Sequence, residues 1–497
     1  MRRLSMLALL LIGCVSDPRD PNTWMKKLGH TAEQKEAVRE LVKLKDPVAV
    51  PPLIEFYGKN HDPEVLKAIA TFKDKRSVQT MIDSLEFSEE SFDNAATAAA
   101  ALGETPDPSA VEPLVKVLGK PLSIKSRANI VKLEAMKSLG KIKDKKAVPA
   151  LMKVLETSAD EQDFYLNIVA AEQLGILGDT SAVPALIRGL FMTGRGADSY
   201  QVCRVALLTM GKPSVQPLID AHEHKNPAVE ADAKKYEFRP GVIEQKTALL
   251  LGDLRAKEAL PILSAELKKP QKGDNHTGAL YALGMIADPA TTKDIVAVLS
   301  DAKRDFKVRI SAAEALNLAG DATALPALLQ VAKTGDVVKG GEKYPDVRVA
   351  AAMTYARLGG PAEAAAFAPV AAAEKAAPEE FKENVERLEL GKKCGQDVTC
   401  YATALESDPK LTHQEKAAFM LARLGKPGLP ALLKKLPTRE PVVRQAVLFA
   451  IGKVADKRDD AAKKALDAQI EIDRTKPPFR PLVEEMRAVR AEITSRS

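Results

Sequence analysis

Six histidines and four cysteines are the residues of this 497-residue chain best suited to metal or redox chemistry. Two histidines stand close together, His222 and His224 in "AHEHK" (221–225). Residues two apart do not share a helix face, and a metal needs three or more converging ligands. A site there would require a partner from elsewhere in the chain, so these histidines are expected to be structural or solvated, with no metal or cofactor. Cys394 and Cys400 flank the turn in "CGQDVTCY". That pair can close a small loop as a disulfide, hold a metal or stay reduced. Cys203 shares an apolar helix face with Leu207 and Met210 and is expected to be a buried, inert thiol. The sequence carries no Gly-rich phosphate loop, zinc-spaced cysteine set or nucleophile motif. It is therefore expected not to be an enzyme.

The elements that would position these residues announce themselves by repetition. "LGKIKDKKAVPALMKVLE" (139–156) returns as "LGDTSAVPALIRGL" (177–190) and "LAGDATALPALLQV" (318–331). The stretch before each such phrase is helical in period: Val443, Ala446, Val447, Ala450 and Ile451 fall on one stripe. A glycine follows (Gly452, and likewise Gly103, Gly140, Gly178, Gly211, Gly252, Gly284, Gly320, Gly359, Gly391 and Gly425), expected to end the helix in the left-handed conformation. A turn with an aspartate comes next, then a proline in the first turn of a second helix: Pro52, Pro113, Pro149, Pro184, Pro217, Pro261, Pro326 and Pro430. Proline is tolerated there because the first amides of a helix have no intrahelical acceptor. One such pair cannot bury its own apolar face; stacking does. The fold class is thus all-α, an α-solenoid of about 13 stacked antiparallel helix pairs. Its last helix, with Leu482, Met486, Val489 and Ile493 on one side, reads as a terminal cap, and a stack of that many layers would reach on the order of 100 Å along its curve.

The pieces "VRISAAEALNLAGDATALPALL" (308–329), "VRVAAAMTYARLGG" (347–360) and "VRQAVLFAIGKVAD" (443–456) resemble HEAT-like repeats, in particular the short bacterial kind related to bilin (PBS) lyases. The resemblance implies the fold and says little about activity. A HEAT-repeat hydroxylase uses repeated His-Glu pairs to hold iron; here His222-Glu223 is the one His-Glu pair, so that reading fails. Arginines recur near the start of one helix (Arg204, Arg309, Arg348, Arg444) and are expected to pair with turn aspartates of neighbouring repeats.

"MRRLSMLALLLIGC" opens the chain with Arg2 and Arg3, an apolar run, Gly13 and Cys14. That order reads as a secretory signal, and its ending resembles the lipobox of bacterial lipoproteins. The resemblance implies lipidation of Cys14, a signal peptide over 1–13, a short tether over 14–23 and a single solenoid over 24–497. Val15 and Ser16 lack the acidic character of an inner-membrane retention signal, so the expected location is the bacterial cell envelope, at the outer rather than the inner membrane. Export would favour oxidation of Cys394 and Cys400.

The net charge of +6, from 73 basic and 67 acidic residues, is spread along the chain, and no nucleic-acid partner is expected. Long junctions fall between helix pairs at 192–200, 224–242, 268–275 and 334–345. In a stack of repeats such junctions share an edge. They carry Lys234, Lys235, Tyr236, Phe238, Arg239, Lys343 and Tyr344, a basic and partly aromatic set suited to an anionic partner. The expected function is a membrane-anchored, non-catalytic scaffold that binds a protein or anionic polymer of the envelope. The alternative is a periplasmic small-ligand carrier or an enzyme with an unrecognised site.

Overall fold

A computed structural model describes residues 17–334, 346–476 and 480–496. Cys14, Lys343 and Tyr344 lie outside the described residues. Among the described residues the architecture is all-α: 29 α-helices in stacked pairs, with one two-residue strand pair, Thr193–Gly194 against Ala197–Asp198. No described helix is long and apolar enough to cross a membrane. The chain divides into two compact units between Leu177 and Gly178.

The first helices of the pairs in the first unit are α1 (Gln34–Leu44), α2 (Pro63–Thr71), α3 (Asp93–Glu104), α4 (Asn129–Ile142) and α5 (Phe164–Leu177). Each packs on the next. The repeated phrase is visible atom by atom after α4. Val131, Ala135, Met136 and Leu139 are buried along one stripe, and Lys143 ends the helix in the left-handed conformation. The Asp144 carboxylate then accepts the N–H of Lys146 at 2.9 Å, capping a single 3₁₀ turn. Val148 and Pro149 start the return helix Val148–Glu156, which buries Val148, Leu151, Val154 and Leu155. Asp46, Asp74, Asp107, Asp179, Asp288 and Asp321 cap in the same way. All eight prolines named above fall within the first three residues of the return helices.

Several glycines differ from expectation. Gly178, Gly211, Gly320 and Gly425 do have positive φ, whereas Gly359 follows its helix in extended backbone. Gly103, Gly140, Gly252, Gly284, Gly391 and Gly452 instead lie inside helices. Their role is close approach: a Cβ at Gly284 would stand 2.6 Å from the Ala315 carbonyl, and one at Gly252 would stand 2.7 Å from Ala282 Cα. Backbone-to-backbone contact of this kind leaves no room for a side chain, which the punctuation pattern alone does not reveal.

In the second unit the first helices are α6 (Tyr200–Met210), α7 (Val242–Asp253), α8 (Asn275–Ile286), α9 (Phe306–Ala319), α10 (Val347–Leu358), α11 (Pro378–Cys394), α12 (Leu411–Leu424), α13 (Pro441–Val454) and α14 (Arg480–Ser495). Each packs on the next, and α14 also packs on α6. This row is closed on itself. The joint is a small core of Leu208, Ala488 and Ala491, where two alanines let the helices come close. The last helix is therefore not a one-sided cap. Val483, Met486, Ala488, Val489, Ala491, Glu492 and Ile493 are all buried, because α14 is covered by α6, by α13 and by the helix Asp460–Asp473.

Candidate functional site

Closing the row brings the C-terminal ends of the first helices together. The last carbonyls of a helix have no intrahelical donor and carry partial negative charge. Cations from neighbouring helices meet them. Lys453 Nζ donates to the Leu318 carbonyl at 2.8 Å, and Arg423 to that of Leu358 at 2.8 Å. Arg496 donates to Ala455 at 2.9 Å, and Arg255 to Met285. Lys416, fully buried, donates to the carbonyls of Ala356, Arg357 and Gly359 at 3.0, 2.7 and 2.7 Å. Burial pushes Lys453 down to about 8 and Lys416 down to about 7.

Between the first helices of this unit lies a cleft of about 670 Å³. Its walls hold the carboxylates of Glu314, Glu415, Glu485 and Glu492, the guanidiniums of Arg255 and Arg357, and an apolar floor that includes Phe419 and Phe449. The two rings are 5.5 Å apart, and the Arg357 guanidinium lies 4.7 Å over Phe419. Most of the charges are already paired. Glu415 is held by Arg357 and by Arg387, the latter at 2.8 Å. Arg204 joins Asp253 at 2.7 Å and Glu485 at 3.4 Å, and the Tyr281 hydroxyl donates to Asp253 at 2.7 Å. Glu492 meets Arg496 at 3.2 Å and Arg255 at 4.0 Å. A rigid, prepaired wall of this kind can hold a ligand in a fixed orientation without reorganising.

Glu492 carries the clearest pH signature. Burial, together with the Asp253 carboxylate, pushes its carboxyl up to about 8, against the pull of Arg255 and Arg496. An unfolded glutamate titrates near about 4.3. Between those two values the folded chain binds more protons than the unfolded one, so this group's contribution to stability declines as pH rises through that window. Melting temperature should accordingly fall more between pH 5 and pH 9 in the natural chain than in Glu492→Gln. Parallel curves for the two proteins would refute this assignment.

The residues singled out by sequence are distributed as follows. Cys394 and Cys400 form a disulfide, with Cα atoms 5.4 Å apart, between the end of α11 and the helix Val398–Ser407. Cys203 is buried, and burial pushes its thiol up to about 12. His222 and His224 turn to different partners. His222 Nδ1 lies 3.0 Å from Thr247 Oγ1, and burial lowers its pKa. His224 lies 2.7 Å from Glu230 and 3.1 Å from Glu244; burial opposes its charge, but the two carboxylates hold its pKa above the usual value. No group of three or more His, Cys, Asp or Glu side chains suited to a metal occurs among the described residues.

The arginine expectation holds at one position and needs correction at others. Arg204 reaches Asp253, the aspartate that follows Gly252 in the next pair, at 2.7 Å, at the buried end of α7. Arg348 is held by Glu374 at 3.0 Å and Arg444 by Asp473, while Arg309 donates to the Leu299 carbonyl at 2.9 Å. Turn aspartates such as Asp144, Asp288 and Asp321 spend their carboxylates on capping.

The junction at 224–242 is not a loop throughout: Asn226 caps a helix, Pro227–Lys235, whose end carries Lys234 and Lys235. Lys234, Lys235 and Arg239 are exposed, and Tyr236 is half-buried beside Lys235 Nζ at 5.3 Å. Phe238 is used internally. It packs edge-on against Phe191 at 6.1 Å, under Lys246 Nζ at 4.5 Å. Lys246 also covers the Tyr200 ring at 4.9 Å. Gly241 abuts the Lys272 carbonyl, and Gly273 abuts that of Pro240. Three of the four long junctions thus meet on one side of the second unit.

The cleft residues escaped the sequence reading because they come from helices far apart in the chain. One signal was available. α8, "NHTGALYALGMI", is apolar almost all round, and a helix of that type is covered on every side.

The fold defines a class: repeated antiparallel helix pairs, stacked in register. Residues 95–120, 131–157 and 168–191 match the profile of the PBS lyase HEAT-like repeat, so the chain carries HEAT-like repeats of that type. No curated protein sequence matches the chain. Among solved structures it is similar to the CpcE–CpcF complex of phycocyanin lyase from Nostoc sp. PCC7120, at 22% identity over 56% of this chain and 94% of that one, with a TM-score of 0.26. Human deoxyhypusine hydroxylase is 19% identical over 59% of this chain and 98% of that one, TM-score 0.21. Kap121p bound to Nup53p is 12% identical over 94% of this chain and 52% of that one, TM-score 0.47.

Proposed function

We propose that this chain is a non-catalytic protein-binding scaffold of a bacterial envelope, held at a membrane by a lipid on Cys14, with its partner seated in the cleft of the second unit. The cleft carries this reading. It is roomy, part apolar and part charged, and built from helices whose positions are locked by buried ion pairs. Such a surface recognises a partner by fixed complementarity. Crosslinking of the tagged chain in intact cells, with mass spectrometry of the linked peptides, tests it. One or two envelope proteins linked to residues bordering the cleft are the expected result. Recovery of no partner, or release of the chain into the soluble fraction unaffected by Cys14→Ser, would count against the scaffold and the anchor respectively.

A second reading places an anionic partner at the junction edge. The meeting of three junctions beside Lys234, Lys235 and Arg239 favours it. The triple change of these residues to Glu should then abolish crosslinks at that edge, and unchanged recovery of the partner would dismiss it.

A further inference from the structure

Five cations gather where the first helices of the second unit end, and the fold leaves two of them with donors to spare. Lys416 is finished: it is fully buried, and its three N–H groups all meet carbonyls. Lys453 also has three N–H groups. One goes to the Leu318 carbonyl, and no acceptor among the described residues takes the other two. Arg423 sets Nη1 on the Leu358 carbonyl and beside the Met420 sulfur, while its Nε and Nη2 meet no acceptor among the described residues. Arg423 is exposed and Lys453 half-buried, so both can be reached from outside. They are neighbours: a Cβ at Gly320 would lie 3.5 Å from Lys453 Nζ and 3.9 Å from Arg423 Cδ. No carboxylate balances the pair. The charged groups that act on Lys453 are Arg255 and Arg423. Glu363 acts on Arg423 without an ion-pair contact, its carboxylate accepting the Gly360 N–H at 2.8 Å. Glu492, between Arg255 and Arg496, is pushed up to about 8 and is largely neutral at pH 7. Asp456, which acts on Arg496, is taken by Lys426 at 3.0 Å and Arg458 at 3.3 Å. Positive charge is left over at this corner of the second unit.

We infer that this corner receives the carboxylate of an aspartate or glutamate on a polypeptide partner, held between Lys453 and Arg423. The inference rests on the scaffold reading and gives its partner a chemistry. Charge-assisted N–H···O bonds are roughly twice as strong as neutral ones, and a surplus of one sign selects a partner of the other. The corner adjoins the cleft: Leu318, whose carbonyl holds Lys453, lines it together with Arg255, Phe449 and Gly452. A segment lying in the cleft can therefore set an acidic side chain on the corner. The same geometry favours a polypeptide over a free inorganic anion. The Phe419 and Phe449 rings offer contact to apolar side chains of a segment and nothing to a phosphate ion.

The test uses the full chain on an array of random decapeptides, beside Arg423→Lys and the double variant Arg423→Gln, Lys453→Gln. Glutamine removes the charge but keeps an N–H for the helix-end carbonyl, and melting temperatures are measured alongside. Peptides bound by the natural chain should be enriched at least severalfold in Asp or Glu. The enrichment should vanish in the double variant and persist in Arg423→Lys. Should the double variant melt well below the natural chain, Arg423→Gln alone replaces it, with partial loss expected and no loss overturning the proposal. Binders without acidic enrichment, or enrichment equal in the double variant, would overturn the proposal and leave the scaffold intact. Enrichment lost only when Lys234, Lys235 and Arg239 are changed to Glu would move the anionic contact to the junction edge and likewise overturn it. An absence of binders would overturn both readings. Calorimetric titration with inorganic phosphate completes the test. Weak or absent binding is expected, and tight, Arg423-dependent binding would transfer the corner to free phosphate and overturn the peptide assignment.

Discussion

Ending the chain after Lys476 is expected to unfold the second unit. The truncation removes α14, whose Val483, Met486, Val489 and Ile493 are buried together with two alanines. Full burial of a side chain of this size contributes about 1.5–3 kcal/mol, so the four together are worth on the order of 6–12 kcal/mol. That equals much of the roughly 5–15 kcal/mol by which a folded domain is stable at all. The loss also bares Leu208 on α6 and takes one carboxylate from Arg204. Proteolysis should then cut freely beyond residue 178 while leaving the first unit protected. A truncated chain that resists protease like the full chain, and melts within a degree or two of it, would show that α14 is an accessory rather than part of the closed row.

Glu415→Ala should be the most damaging single substitution in the cleft. Its side chain is 2% exposed and holds Arg357 and Arg387, which are themselves 14% and 7% exposed. Removing one member of a buried charge cluster strands the others, at a cost of about 3–5 kcal/mol. Replacing all three by apolar residues of similar size strands no buried charge and gives up the Arg387 hydrogen bond to Asn384 at 3.0 Å; such exchanges are often neutral or stabilising. The triple variant Glu415→Leu, Arg357→Leu, Arg387→Met should therefore recover most of the loss in denaturant melts. A triple variant as unstable as Glu415→Ala would mean that these side chains act mainly through packing shape.

The helix pairs were legible because their signals are local. A proline two or three residues into a return helix, an aspartate ahead of it and an apolar stripe on either side each act within one turn, and at Asp144 and Pro149 they appear as read. The closed row was not legible, because joining α14 to α6 depends on two alanines and Leu208 that differ in no way from their counterparts elsewhere. For the same reason α14 read as a cap. Its Glu492 falls in a run of charges that suggests a wet face, and only the approach of Arg255 and Arg496 makes it a buried group. Phe238, picked out as a contact residue for a partner, also takes part in the packing under Lys246. The glycines at 252 and 284 were placed correctly and given the wrong reason: their positions satisfy a neighbour's backbone, which no single repeat encodes.

The joint between α6 and α14 also governs how the molecule is made. Arg204 and Glu485 are 281 residues apart. At a ribosomal rate of about 5–20 residues per second, the face of α6 that α14 covers must wait on the order of 14–56 s for its complement to be synthesised. An open stack could grow repeat by repeat behind the ribosome, each pair settling on the last. This one cannot finish until its final residues have appeared, and the closing contact then bears the entropy of a very long loop. Nascent chains paused before residue 480 should for that interval be clients of holding chaperones, and refolding from denaturant should end in one slow step that every probe of the second unit shares.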